Sequence, residues 1–276
     1  MPDDWRGMDR ATLSAAYDNA GAVAGSAEIV AGWRARSAAV RQAHPQDLDL
    51  AYGEEERQRI DLLRSGRAGA PLLVFLHGGY WQRNAKEGFA CMAEGPLARG
   101  LDVALIGYTL APAATLTRIA AETGAALAFL RRRDAEGGTA RRIVVSGWSA
   151  GGHLAALALS RGQADAALAI SGIFDLAPIR GTGLNDALSL TDREVDALSP
   201  IRHLPGEAGP LTVAYGGEEL PELRRQSTAY QAAWHAAGLP GTLLALPGHD
   251  HFSVLDELMR PDGALTEAAV ALARGP

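Results

Sequence analysis

Five residues, Gly147-Trp148-Ser149-Ala150-Gly151, read G-x-S-x-G. A β-branched apolar run, Ile143-Val144-Val145, lies just before them, and a segment of good helix formers, 154–159, follows. Strand, tight glycine turn and helix is the setting in which this pentapeptide carries an activated serine. The chemistry is nucleophilic. A sharp turn holds the serine in a strained backbone position, its hydroxyl exposed for attack on a carbonyl carbon. Gly147 and Gly151 leave room for neighbouring backbone. The Ala150 amide lies at the helix N-terminus, among unpaired N–H groups that favour an anion.

A serine nucleophile needs an oxyanion hole, a base and an acid that orients the base. His77-Gly78-Gly79 follows the apolar run Leu72-Leu73-Val74-Phe75-Leu76. That is the carboxyl end of a strand buried on both faces, where sites lie in parallel sheets. Two glycines let the backbone turn its N–H groups inward. Gly78, Gly79 and Ala150 are the expected oxyanion donors, a pair of which is worth about 3–4 kcal/mol. The order serine, acid, histidine puts the base late in the chain. His249 and His251 both follow the last strand, and loop position alone does not separate them. His251 is favoured, with Phe252 as a packing anchor beside it. His77 is expected to brace its own loop, and His44, His153, His203 and His235 to be structural. H-x-H around Asp250 has no further carboxylate or cysteine cluster to complete a metal site, so no metal or other cofactor is expected. The acid must follow the strand ending at Tyr215, where only glutamates stand. Glu219 is the first choice and Glu218 the second.

The frame for these residues is an α/β fold. After a helical extension over 1–44, broken near Gly21 and Gly25, an antiparallel hairpin spans 48–63. Apolar strands then alternate with helical segments to the end of the chain, which implies a mostly parallel sheet with helices on both faces. One domain over 1–276 is expected. Residues 177–209, polar and rich in Pro and Gly, read as an insertion and a candidate lid. With 47% hydrophobic residues a sizeable core is available, and a net charge of −6 argues against nucleic acid or acidic membranes as partners. Cys91 is the only cysteine, so no internal disulfide forms. The first thirty residues carry no apolar signal-like stretch, and no apolar run is long enough to span a membrane. A cytoplasmic protein is expected, acting on a small molecule; a homodimer is compatible with this.

His77-Gly78-Gly79-Tyr80-Trp81, the elbow continued through Gly152-His153-Leu154, Ser171-Gly172-Ile173-Phe174-Asp175-Leu176, Arg225-Gln226-Ser227, Asp250-His251-Phe252 and the Tyr17-Asp18-Asn19 region resemble the kynurenine formamidases (arylformamidases). These are α/β-hydrolases near the hormone-sensitive-lipase-type esterases. The resemblance implies Ser149 as nucleophile, His251 as base and Glu219, two residues before Pro221, as acid, where the eukaryotic members carry aspartate. It implies hydrolysis of an N-formyl arylamine such as N-formylkynurenine, through a formyl-enzyme, and a place in tryptophan catabolism. Tyr80, Trp81, Trp148 and Phe174 are then candidates to line an aryl pocket. A carboxylesterase for short acyl or aryl esters is the alternative built on the same residues.

Overall fold

The computed structural model describes residues 4–275. Residues 1–3 and 276, the ends of the expected single unit, lie outside the described residues. Eight strands form one sheet: β1 (Leu50–Ala51), β2 (Arg59–Leu63), β3 (Leu72–Leu76), β4 (Asp102–Ile106), β5 (Ile143–Trp148), β6 (Ala166–Ile170), β7 (Leu211–Gly216) and β8 (Gly241–Leu246). Their order across the sheet is β1-β2-β4-β3-β5-β6-β7-β8. The hairpin strands β1 and β2 are antiparallel to each other, and β2 is antiparallel to β4. From β4 to β8 every pairing is parallel. This is the expected α/β-hydrolase sheet.

Alternation along the central strands sorts the core. Every residue of β3, β5 and β6 is buried, as parallel strands covered on both faces require. Successive side chains point to opposite faces. Leu72, Val74, Leu76, Ile143 and Val145 pack into one core, and Leu73, Phe75, Val144 and Leu168 into another.

Helices α1 (Arg10–Ala15), α2 (Asn19–Ala22) and α3 (Ser26–Ala43) precede the sheet, and α4 (Glu94–Ala98), α5 (Leu116–Glu136) and α6 (Ala150–Ser160) connect its strands. Short helices α7 (Ala177–Arg180), α8 (Asn185–Leu188) and α9 (Asp192–Leu198) occupy the 177–209 segment. α10 (Pro221–Ala236) joins β7 to β8, and α11 (Asp256–Met259) and α12 (Ala264–Arg274) follow. α5, α6 and α10 cover the first face, through residues such as Leu127, Leu154 and Trp234. α3, α11 and α12 cover the second, through Trp33, Leu258 and Leu265.

One local expectation is corrected. The N-terminal extension folds as a 3₁₀ turn, Asp4–Gly7, and three α-helices rather than as two helices. The additional break falls at residues 16–18, where the Asp18 side chain caps α2 by accepting from the Gly21 amide. The 86–97 stretch is a 3₁₀ turn, Lys86–Ala93, followed by α4, with Gly88, Gly95 and Pro96 interrupting a regular helix. The extension is also part of the core. Trp33 and Val40 are buried on the second face. Asp61, buried within β2, accepts from Arg41 Nε on α3 at 2.8 Å and from Lys86 Nζ at 2.7 Å. Buried charges held in this way are paired on every side and fix α3 against the hairpin.

Candidate active site

Ser149 stands where β5 ends and α6 begins, with φ 57° and ψ −115°. A non-glycine residue at positive φ is strained, and surrounding structure must hold it there. The glycines around it explain how. A Cβ on Gly151 would lie 1.9 Å from the Leu76 carbonyl oxygen, and one on Gly147 would lie 2.3 Å from the Gly151 oxygen. The helix therefore starts in direct backbone contact with β3 and β5, and the serine is forced outward at the turn. The Ser149 amide is tied to the Ile170 carbonyl at 2.8 Å, which couples the elbow to β6.

The H-G-G loop is oriented by its carbonyls. The His77 oxygen accepts from Tyr108 Oη at 2.8 Å. The Gly78 oxygen accepts from His77 Nδ1 at 2.9 Å and Asn84 Nδ2 at 3.2 Å. In a trans peptide the N–H points opposite to the C=O. The Gly78 and Gly79 amides are thus turned away from these partners. Gly79, at φ 116°, lines the same pocket as Ser149. Ala150 is the first residue of α6, so its N–H has no acceptor within the helix.

His251 Nδ1 lies 3.1 Å from Glu219 Oε2, with both side chains buried. Glu219 Oε1 accepts from Ser171 Oγ at 2.5 Å and from the Gly216 amide at 2.7 Å. A carboxylate on Nδ1 fixes the proton there and leaves Nε2 as the acceptor. Glu219 and His251 are thereby paired, and Ser149 lines the same pocket as His251, all three on loops at the carboxyl ends of the parallel strands. Glu218 donates its amide to the His249 carbonyl, and its side chain is exposed, whereas that of Glu219 is buried against His251. His249 turns to the Ser253 carbonyl, with Nδ1 at 3.0 Å. Trp148 Nε1 donates to the His251 carbonyl at 2.8 Å, and the two rings stand 5.0 Å apart, so the residue before the serine steadies the histidine loop.

A cavity of about 670 Å³ opens in front of Ser149 and His251. Tyr80, Trp148 and Phe252 line it, together with Tyr17, Asn19 and Val30 from the N-terminal helices and Leu184 from the 177–209 segment. Trp81 and Phe174 do not line it, contrary to expectation. Trp81 stands edge-on to His153 at 5.0 Å, and Phe174 stacks on Tyr230 at 4.4 Å, so neighbouring cores take up both rings. Sequence reading gave no role to Asn19, Tyr17 or Ser171. Tyr17 Oη donates to Glu222 Oε2 at 3.0 Å and accepts from Gln226 Nε2 at 2.9 Å, which pins the N-terminal segment over the site. Ser171 opens the Ser171–Leu176 motif at the end of β6, beside the acid's loop, and that place is its signal in the sequence. Among the described residues no His, Cys, Asp or Glu cluster suits a metal ion.

Two buried histidines tie stability to pH. Burial lowers His77 and His153 to about 4. In the unfolded chain they protonate near the ordinary value of about 6.5. Between these values the unfolded state binds more protons, so stability is full above pH ~6.5 and declines as pH falls toward ~4. The urea midpoint is expected to fall across this window, the two histidines together contributing about 2 kcal/mol per pH unit. A midpoint flat from pH 7 to 5 would contradict this.

Residues 60–175 match the BD-FAE family. The chain is 30% identical over 235 residues to a kynurenine formamidase of Danio rerio, covering 80% of this chain and 79% of that protein. It is 29% identical over 248 residues to esterase LipQ of Mycobacterium tuberculosis, covering 76% of this chain and 58% of that one. A crystal structure described as a putative thioesterase from Silicibacter superposes with a TM-score of 0.82 at 28% identity, over 95% of this chain and 99% of that one. With the extended match to the formamidase, and with an elbow, an H-G-G loop and a late histidine at the ends of a parallel sheet, the chain belongs to the kynurenine formamidase family of α/β-hydrolase enzymes.

Proposed function

We infer that this protein hydrolyses an N-formyl arylamine, of the N-formylkynurenine type, to formate and the free arylamine. The observation that carries the reading is the strained Ser149 at the floor of an aromatic-walled cavity that also holds His251, itself bound to a buried glutamate. Ser149 Oγ attacks the formyl carbon while His251 Nε2 takes its proton. The amides of Gly78, Gly79 and Ala150 receive the oxyanion. His251 then protonates the leaving nitrogen and the arylamine departs. Water attacks the formyl carbon as His251 takes its proton, and on collapse the C–Oγ bond breaks, His251 returns the proton to Ser149 Oγ and formate is released. Glu219 holds the imidazole tautomer and stabilises the imidazolium.

The cavity is of the size that binds small molecules, and Tyr80 and Trp148 offer it aromatic surface. Arg34 and Arg83 also line it, and the guanidinium of neither has a hydrogen-bond or ion-pair partner among the described residues, which suits an aryl substrate carrying a carboxylate. The 177–209 segment acts as a wall of this pocket, within one 1–276 unit. A cytoplasmic location fits the buried lone Cys91 and the lack, among the described residues, of a helix long and apolar enough to cross a membrane. A homodimer is compatible with the same site. The similarity to esterase LipQ favours, as second reading, a carboxylesterase using the same residues.

Paired steady-state rates on N-formylkynurenine and p-nitrophenyl acetate separate the two. A kcat/KM on the formamide well above that on the ester is expected. Strong ester turnover with negligible formamide turnover would make the protein an esterase.

A further inference from the structure

Asn19 takes no part in the reaction as described, yet it touches the base. It opens α2, is 4% exposed, and belongs to the cavity wall. Its Nδ2 donates to Tyr80 Oη at 3.0 Å and to His251 Nε2 at 3.2 Å. Its Oδ1 is buried without a partner. Proton counting fixes this orientation. Tyr80 gives its single hydroxyl proton to the Tyr17 carbonyl at 2.7 Å, so toward Asn19 it can only accept. The amide nitrogen therefore faces Tyr80 and His251. An acceptor with two lone pairs is left idle close to the base.

We propose that Asn19 Oδ1 accepts the N–H of the scissile amide during turnover and makes this site selective for anilides over esters, an inference that rests on the formamidase reading above. The in-plane lone pair of Nε2 cannot serve Asn19 and Ser149 at once. When Ser149 shares its proton with Nε2, the Asn19 amide must let go. Its bond to Tyr80 remains as a pivot, and a terminal amide torsion has a broad minimum, so the turn is easy. It moves Oδ1 toward the space beside Nε2. The leaving nitrogen must come to that same space, because His251 delivers the proton that expels it.

The proton inventory then closes. In the tetrahedral intermediate the carbon bears Ser149 Oγ, the oxyanion, one hydrogen and the nitrogen. On collapse the oxyanion re-forms the carbonyl. The nitrogen lone pair takes the proton from Nε2–H, and the C–N bond breaks with its electrons passing to nitrogen. The N–H already present is not transferred, and the arylamine leaves with two hydrogens. While Oδ1 holds that N–H, the nitrogen lone pair is directed to the other side, at Nε2. An ester's leaving oxygen carries no hydrogen, so Oδ1 gains nothing from it. The anchor is firm, since Tyr17, two residues earlier, is held by Glu222 and Gln226.

The test compares formanilide with phenyl formate, which share acyl and aryl groups and differ in N–H against O. Phenyl formate is read at early times above its spontaneous hydrolysis. Asn19→Ala is expected to lower the ratio of kcat/KM on formanilide to that on phenyl formate by about 10–100-fold, because freeing Nε2 acts on both substrates while loss of the Oδ1 acceptor acts on the anilide alone. A residue that merely braced the fold or the histidine would change both alike, and an unaltered ratio overturns the proposal. A second measurement needs no variant. N-methylformanilide lacks the N–H, and the unmodified protein is expected to turn it over far more slowly than formanilide; equal rates overturn the proposal even if Asn19→Ala does not fold. If the unmodified protein hydrolyses phenyl formate but not formanilide, the formamidase reading itself falls, and this inference with it, on wild-type rates alone.

Discussion

Ser149→Ala is expected to lower kcat on an aryl formamide by about 10⁵–10⁶-fold while leaving the thermal midpoint close to that of the parent. The loss is large because the serine, the histidine and the oxyanion donors act as a unit, and removing the nucleophile idles the base. A remnant of about 10³-fold over water should survive, since the H-G-G loop and the Ala150 amide still polarise the carbonyl for attack by water. The fold should hold. Alanine accepts the same positive φ that Ser149 already adopts, and the glycine contacts that impose the turn do not involve the hydroxyl. Labelling by a fluorophosphonate probe should vanish in the variant and be complete in the parent. Activity that persists on both formamide and ester substrates would sink the mechanism from the elbow outward.

Glu219→Gln is the more instructive change, because it is nearly isosteric. Glu219 accepts three hydrogen bonds, from Ser171 Oγ, the Gly216 amide and His251 Nδ1. A glutamine has one acceptor oxygen and one donor nitrogen. If the nitrogen faces His251, Nδ1 must become the acceptor, and the proton moves to Nε2, where the base needs a free lone pair. If the nitrogen faces the other way, it meets the Gly216 N–H, donor against donor, in a buried site. The first arrangement gives the wrong tautomer and the second leaves buried donors unpaired. A fall in kcat of about 10³–10⁴-fold is expected, with KM little changed. Glu218→Gln, at an exposed side chain, should leave kcat as it was. Equal effects of the two substitutions would remove Glu219 from the mechanism.

The parts of this site that a reader of the sequence can find are those written in consecutive residues. The elbow is local: the strand, the two glycines and the helix formers all lie within 142–160. The H-G-G turn is local as well. Glu219 and Glu218 are adjacent, and what separates them is the position of the Gly216 amide and Ser171, which no spacing rule encodes. Trp81 and Phe174 were legible as aromatic but not as buried away from the pocket, because an aromatic ring at a strand end can serve a core or a cavity equally well. Asn19 was the hardest to see, since its partners Tyr80 and His251 lie 61 and 232 residues away in the chain. The helical character of 1–44 was plain from periodicity. That α3 completes the second face of the sheet depends on Trp33 meeting Phe89, Trp148 and Phe252, a meeting of four distant segments.

Tyr17 and Glu222, joined at 3.0 Å, are 205 residues apart in the chain. On the ribosome the roof of the pocket is made first and must wait for most of the sheet before its anchor exists. Closing so long a loop is slow relative to local helix and strand formation. The central strands can pair and the elbow can form while the pocket still lacks its ceiling and its histidine. Hydrolytic competence is therefore the last property the nascent chain acquires, and a nascent chain halted before residue 251 has emerged would carry a strained serine with no base to activate it.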